Sequence, residues 1–263
     1  MINRNPKVSI IVVSLNTKLF FLETVKSIIN QCYKNKEIII VDGNSVDGTV
    51  QEIKKLKNKF SKIIIKKDKG IYDAMNRGIR ISSGKWILFL NSGDIFNNRK
   101  VLSNIFRNQL FNKDIIFGNT LVENNNIRRF VEGKNFTKNT IVMPFCHQST
   151  MVKTDILKKN KFSLKYKYSS DFNFFIKCFK KKIKFYKLNQ IIAHVRANGV
   201  SDKNRQKVYN ENIQILKKNN FSFRLIINLL FIKFATHFKD FTKYILPSSF
   251  VVVLLKLKYL KRV

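Results

Sequence analysis

Gly84–Phe96 reads GKWILFLNSGDIF. Five apolar residues, Trp86 to Leu90, run without a polar break; Asn91, Ser92, Gly93 and Asp94 follow, and Ile95 and Phe96 are apolar again. An unbroken apolar run of this length is expected of a strand buried on both faces. A buried strand that ends by delivering a carboxylate between two hydrophobic segments needs a chemical reason for that carboxylate.

Upstream, the same pattern recurs. Val8–Ser14 (VSIIVVS), Glu37–Asp42 (EIIIVD) and Lys62–Lys67 (KIIIKK) are further short, β-branched strands. Between them, Phe20–Cys32, Thr49–Phe60 and Ile71–Ile81 have helical apolar spacing. Strands alternating with helices imply parallel pairing, right-handed crossovers and helices on both faces. The expected fold is therefore α/β, a Rossmann-like, mostly parallel sheet flanked by helices. Ligands of such sheets lie beyond the carboxyl ends of the strands. There stand Ser14 and Asn16 after the first strand, Asp42 after the second, Asp68 after the third and Asp94 after the fourth.

Beyond Asn97, IIFGN, IRRFV, His147–Lys153 and Lys184–Val195 are expected as strands, and Asp171–Lys181 and Ser201–Lys218 as helices. From Phe223 the chain is amphipathic and rich in Phe, Ile, Leu and Lys; after Pro247 it is apolar and then basic. The expected organisation is a catalytic domain over residues 1–220, with halves 1–96 and 97–220, and a basic amphipathic helical extension over 221–263.

The 263 residues include 51 Lys and Arg against 16 Asp and Glu, a net charge of +35. Residues 1–150 hold 25 basic and 11 acidic side chains, and residues 151–263 hold 26 and 5, so the C-terminal part is the more basic. Such a charge favours polyanions: anionic lipid, nucleic acid or phosphorylated substrates. An Asn-, Lys- and Ile-rich composition supplies part of it without any partner. Cys32, Cys146 and Cys178 are widely spaced without a CxxC, which fits a reducing cytoplasm and no metal cluster. MINRNPKVSIIVVSLN reads as a strand rather than a signal peptide, and no uncharged apolar stretch reaches 18 residues.

Several chemistries are excluded by spacing. A dinucleotide fold needs GxGxxG after the first strand, where SLNTK stands, and GxxxxGK[ST] is absent. DGNSVDGT fails as an EF-hand loop, with Val46 at the fifth position, Asp47 at the sixth and Ile53 at the twelfth. What remains is a carboxylate site that holds a nucleoside diphosphate with a divalent cation. VSIIVVSLN, EIIIVDGNSVDGT, DKGIYDAMNRGI and GKWILFLNSGDIF occur in that order. They strongly resemble the inverting nucleotide-sugar glycosyltransferases of glycosyltransferase family 2, which have the GT-A fold, in the branch of bacterial exopolysaccharide, capsule and O-antigen synthesis. A weaker likeness continues through HQSTMV, SSDFNFF and NGVS.

The resemblance implies roles. Asp42 reads the base of a nucleotide, UDP being the expected one, with Ser14 and Asn16 on the same floor and Asp68 near the ribose and base. Asp94 matches the last Asp of the family's DxD motif and ligates Mg²⁺ or Mn²⁺ against the diphosphate; Ser92 replaces the first Asp, leaving one carboxylate to anchor the ion. Asp171 matches the catalytic base of a single in-line displacement. Asp47 is expected to cap a helix, and Asp73 and Arg77 to form a salt bridge. His147 and Gln148 border the acceptor cleft, and His147 is given no catalytic role.

The implied enzyme is a hexosyl- or N-acetylhexosaminyl-transferase acting on a growing cell-surface glycan, on a polyprenyl-diphosphate lipid. It is expected in the cytoplasm, peripheral on the inner face of the membrane, with its basic tail on anionic headgroups. The rival readings are a basic nucleic-acid-binding protein and a degenerate transferase serving as a partner subunit. Ordered acidic motifs and the absence of a zinc, helix-turn-helix or RNP signature argue against the first, so no nucleic-acid partner is expected.

Overall fold

A computed structural model of the protein describes residues 5–107, 112–124, 127–197 and 199–245. The chain divides after Lys203 into two compact units. The first begins with β1 (Val8–Ser14), buried at every position, and α1 (Lys18–Ile29). β2 (Lys36–Asp42), α2 (Thr49–Lys55), a 3-10 turn at Lys57–Lys59, β3 (Lys62–Ile65), α3 (Ile71–Ile81) and β4 (Trp86–Phe89) follow. β2 and β4 flank β1 in parallel, and β3 adds to β2 in parallel. The alternation expected from the sequence is therefore present, and β1, β2 and β4 are covered on both faces, while β3 at the sheet edge is part-exposed. Val8, Ile10, Val12, Ile38, Ile40, Trp86 and Leu88 share one core with Phe21, Val25 and Ile28 of α1. The residues between them, such as Ile11 and Ile39, are equally buried on the face toward α3. Full burial of each large side chain stabilises the sheet by about 2 kcal/mol.

The second half is mixed. β5 (Ile95–Phe96), α4 (Val101–Arg107), β6 (Ile115–Asn124), β7 (Ile127–Val131), a 3-10 turn at His147–Ser149, β8 (Thr150–Lys153), α5 (Thr154–Lys159), α6 (Ser170–Lys180), β9 (Phe185–Arg196) and α7 (Val200–Lys203) complete the unit. The strand order is β3-β2-β1-β4-β8-β6-β9-β5, with β7 on β6. β8 runs antiparallel to β4 and β6, β7 antiparallel to β6, and β5 antiparallel to β9; β6 and β9 are parallel. The strand expected from His147 starts only at Thr150, because Ser149 N–H and Thr150 Oγ1 both donate to Cys146 O and close a turn first.

In the second unit, α8 (Arg205–Lys218) and α9 (Phe223–Ile245) pack together, with Ile215, Leu216, Ile226 and Leu229 buried. Asn204 (φ −120°, ψ 33°) leaves helical geometry, so the single helix expected over Ser201–Lys218 is two. Phe223, Leu230, Phe231, Phe234 and Phe238 recur at helical spacing on α9 and are exposed, a second apolar stripe beside the buried one. The basic segment after Pro247 and Asn198 of NGVS lie outside the described residues.

Candidate active site

The register of β1 on β2 sets Ser14 beside Asp42 at the carboxyl end of the sheet. Asp42 is fully buried: Ser14 Oγ and Ser45 Oγ donate to its Oδ2 (2.7 and 2.8 Å), and the Ser45 N–H donates to Oδ1 (2.7 Å). The loop after β2 is thus folded back on its own carboxylate. Asn16, at φ +52°, clamps the same loop from the β1 side: its N–H donates to Ser45 Oγ (2.8 Å) and its Oδ1 accepts from Val46 N–H (2.9 Å). Asp47 accepts from Thr49 N–H at the start of α2 and from Lys18 N–H at the start of α1 (both 2.9 Å), so one carboxylate serves two helix N-termini. Asp68, half-buried, lies against the same loop; a Cβ on Gly43 would stand 2.7 Å from its Oδ2. Ser14, Asn16, Asp42 and Asp68 therefore meet in one place, with Asp42 wholly engaged by hydroxyls and backbone. Arg77 pairs with Asp73 (2.7 Å) and donates to Lys66 O and Lys67 O, which occupies it in the scaffold.

After β4 the chain stays beside β1, with Leu90 N–H on Ile11 O and Ser92 N–H on Val13 O (both 3.0 Å), and then turns. Gly93 supplies the turn at φ +106°, a conformation costly for any residue with a side chain, and its N–H donates to Thr24 Oγ1 (2.9 Å). β5 then joins β9, so Asp94 is fixed from both sides. Its carboxylate is 5% exposed, accepting from Gln148 Nε2 (3.0 Å) and from the Arg196 N–H (3.3 Å). Burial pushes the carboxyl up to about 6, and the Gln148 hydrogen bond and the neighbouring His147 and Arg196 charges offset only part of that. Cys146 Sγ donates to Gln148 Oε1 (2.7 Å), which leaves the Gln148 amide N–H₂ for Asp94.

Asp171 lies in the first turn of α6, one residue inside the helix, where the helix dipole favours a carboxylate. Tyr72 OH of α3 donates to its Oδ1 (2.8 Å), and His147 Nδ1 lies 3.5 Å from Oδ2. Burial by itself raises the Asp171 carboxyl, but the His147 contact and charge and the Tyr72 hydroxyl outweigh it and hold it below the ordinary range. The 3-10 turn thus brings Asp94 and Asp171 into one site: His147 faces one and Gln148 the other. Tyr72 and Ser45 are the residues that sequence reading gave no place, and Gln148, expected only at the border of the acceptor cleft, donates to Asp94. Only Ser45 had a local signal, three residues after an Asp in a turn.

The donor set fits a hard cation. Asp94 brings a carboxylate, and Ser92 Oγ, in the DxD position that lacks its Asp, is buried with no hydrogen-bond partner. No three His, Cys, Asp or Glu side chains gather into a metal cage among the described residues, so oxygen atoms of a bound diphosphate would complete the shell.

A mixed α/β sheet with this carboxylate-lined edge is the GT-A fold of glycosyltransferases. The chain belongs to glycosyl transferase family 2, whose sequence profile matches residues 9–236. It is a glycosyltransferase. A PGL/p-HBAD biosynthesis glycosyltransferase of Mycobacterium bovis is 28% identical over 186 residues, 66% of this chain and 70% of that one. The Escherichia coli UDP-Glc:alpha-D-GlcNAc-diphosphoundecaprenol beta-1,3-glucosyltransferase WfaP is 41% identical over 101 residues, 37% of this chain and 39% of that one. Among solved structures, S. aureus TarS 1–349 in complex with UDP has a TM-score of 0.64 at 18% identity, covering 80% of this chain and 64% of that one. The mannosyltransferase PcManGT of Pyrobaculum calidifontis, with GDP-Man and Mn²⁺, has 0.65 at 15%, covering 83% and 65%. This chain spans just under two thirds of both solved chains, and the likeness to them is one of fold.

Proposed function

We propose that this glycosyltransferase moves a sugar, with inversion, from a UDP-sugar to a hydroxyl of a growing cell-surface glycan carried on a polyprenyl-diphosphate lipid. The observation that carries the reading is the turn His147–Gln148, which holds a buried, proton-hungry Asp94 on one side and an ionised Asp171 on the other. A single displacement needs those two functions on opposite sides of the anomeric carbon: one for the departing diphosphate and one for the acceptor proton.

On the donor side, Ser14, Asn16, Asp42 and Asp68 form the nucleotide end, with Asp42 holding the Gly43–Val46 loop in shape for the base. Asp94 and Ser92 would hold Mg²⁺ or Mn²⁺, which would supply positive charge to offset the negative charge developing on the diphosphate. On the acceptor side, Asp171 is the base that takes the acceptor proton, and Tyr72 fixes its orientation. WfaP, named for a UDP-Glc donor and a diphosphoundecaprenol acceptor, supports the donor and lipid assignments; PcManGT, solved with GDP-Man and Mn²⁺, supports the cation. The net charge of +35 and the exposed Phe stripe of α9 support a peripheral place on anionic lipid at the inner face of the cytoplasmic membrane. No described helix is long and apolar enough to cross a membrane.

The test is thermal stability of the full chain with UDP, GDP, dTDP and CDP, each with and without Mn²⁺, beside Asp94→Ala. A metal-dependent rise for UDP that vanishes in Asp94→Ala is expected. No response to any nucleotide would remove the donor assignment, and a metal-independent rise for UDP would remove the cation.

A further inference from the structure

We propose that helix α1 sets the position of the Asp94 carboxylate, and that Arg196 is a positioning residue, clasping the end of β9 to that helix rather than meeting the donor. This deepens the transferase reading above and rests on its donor side, where Asp94 is the carboxylate for the cation.

Phe20, Glu23, Thr24 and Ser27 are spaced i, i+3, i+4 and i+7, so they share one face of α1. Phe21, Val25 and Ile28 enter the core from the adjoining face. The first face meets the turn between β4 and β5. Thr24 is fully buried, and its Oγ1 accepts from Gly93 N–H (2.9 Å); Ser27 Oγ accepts from Phe96 N–H (3.3 Å). The main chain is thus tied to α1 on both sides of Asp94, one residue before it and two after. Both hydroxyls donate back into the helix, to Phe20 O (3.4 Å) and Thr24 O (2.8 Å), which leaves their lone pairs to the turn.

The third tie runs through β9. β5 pairs with β9 as far as Ile95 with His194, and two residues on, the Arg196 N–H reaches Asp94 Oδ1 (3.3 Å). The Arg196 side chain holds that main chain against α1: its guanidinium pairs with Glu23 (2.5 Å) and lies over the Phe20 ring, 4.5 Å from the centroid. Arg196 and Glu23 are 41% and 47% exposed, but a guanidinium that is both ion-paired and stacked is an ordered one. The clasp crosses the turn that delivers the carboxylate. A Cβ on Gly93 would stand 3.7 Å from Arg196 Cδ and 3.8 Å from Phe20 Cβ. Arg196 therefore acts on Asp94 through its main chain, and its side chain fixes where that main chain lies. Each Asp94 oxygen accepts one hydrogen bond, Oδ2 from Gln148 and Oδ1 from Arg196. The lone pairs that remain are held in one direction for the cation.

The test uses the full chain and two probes: UDP by calorimetry, and Mn²⁺ by the spin-resonance signal of the free ion at saturating UDP. Glu23→Gln and Arg196→Gln should each weaken Mn²⁺ binding about threefold to fivefold and leave metal-free UDP affinity within about twofold. Because the two residues form one clasp, the double variant should bind Mn²⁺ no more weakly than either single variant. Thr24→Val removes the acceptor of a buried N–H and should weaken Mn²⁺ about tenfold, whereas Thr24→Ser keeps the hydroxyl and should bind as wild type does. Unchanged Mn²⁺ affinity in Glu23→Gln and Arg196→Gln would overturn the proposal. So would a loss in Arg196→Gln alone, or losses that multiply in the double variant, since either gives the guanidinium a contact of its own with the bound donor. A wild-type protein that binds UDP but takes up no Mn²⁺ would overturn the proposal and leave the nucleotide standing. One that binds no UDP would overturn the donor reading with it.

Discussion

Glu37 and Asp94 stand at opposite ends of the parallel strands, and both are buried, at 2% and 5% exposure. Glu37, at the amino end, is met by Ser9 Oγ, Ser83 N–H, Ser83 Oγ, Gly84 N–H and Lys7 Nζ. Burial would raise its carboxyl, but those donors together bring it down to about 2. Asp94, at the carboxyl end, has two donors and is pushed up to about 6. The same group in the same sheet is fully compensated at one end and left wanting at the other. Full compensation closes a fold, whereas partial compensation leaves affinity for something the chain itself does not supply.

The largest expected effect separates the two in function. Asp94→Asn should lower turnover about 1000-fold with the protein still folded, whereas Glu37→Gln should leave turnover per folded molecule within about twofold. Equal losses in both would break the contrast. The next effect reverses the order in stability. The depressed Glu37 carboxyl contributes about 3 kcal/mol above pH 4.5, lost as the pH falls from 4.5 toward 2. Urea unfolding at pH 7 should show Glu37→Gln weaker by about that amount, and the difference should shrink in acid. Gly84 belongs to this end too: a Cβ there would meet Ser9 N and Lys7 O at 2.7 and 2.8 Å, so Gly84→Ala should cost about 2 kcal/mol or more by melting.

A smaller effect has the opposite sign. Because the Asp94 carboxyl is raised in the folded state, its ionised form opposes folding at neutral pH, and the folded protein recovers stability as the pH falls from 6 toward 3.8. Metal-free Asp94→Asn should therefore be more stable than wild type by about 1–2 kcal/mol at pH 7.5, with the gain fading below pH 6. A loss of stability at pH 7.5 would mean that Asp94 is as compensated as Glu37. The smallest effect comes from Gly43, where a Cβ would meet only side-chain atoms of Asp68 and Leu15. Gly43→Ala should cost under about 1 kcal/mol yet weaken UDP binding severalfold by displacing Asp68, measured by calorimetry.

The half of the sheet that could be read from sequence is the half with local signals. Strands buried on both faces announce themselves as apolar runs, and their helices follow within a few residues, so β1 to β4 and the positions of Asp42, Asp68 and Asp94 were legible. The order β8-β6-β9-β5 was not, since it depends on pairings such as Ile95 with His194 across 99 residues. The site divides in the same way. Asp171 was found by likeness to a family motif, but His147 looked solitary because its partner lies 24 residues away across a turn read as strand. Tyr72 carried no local signal; it is 7% exposed, and its hydroxyl reaches Asp171. Asp42 was assigned to a ligand; the geometry gives its oxygens to Ser14 and Ser45 first.

Cys146 holds Gln148 in place through its thiol, and burial pushes both that thiol and the Cys178 thiol up to about 12. Thiolate is the species that reacts with maleimides and iodoacetamides, and at neutral pH these two sulfurs offer almost none of it. Cys32 alone of the three is exposed. The unaltered protein therefore carries a ready single attachment point for a fluorophore, on the loop after α1, from which ligand binding can be followed without removing any cysteine.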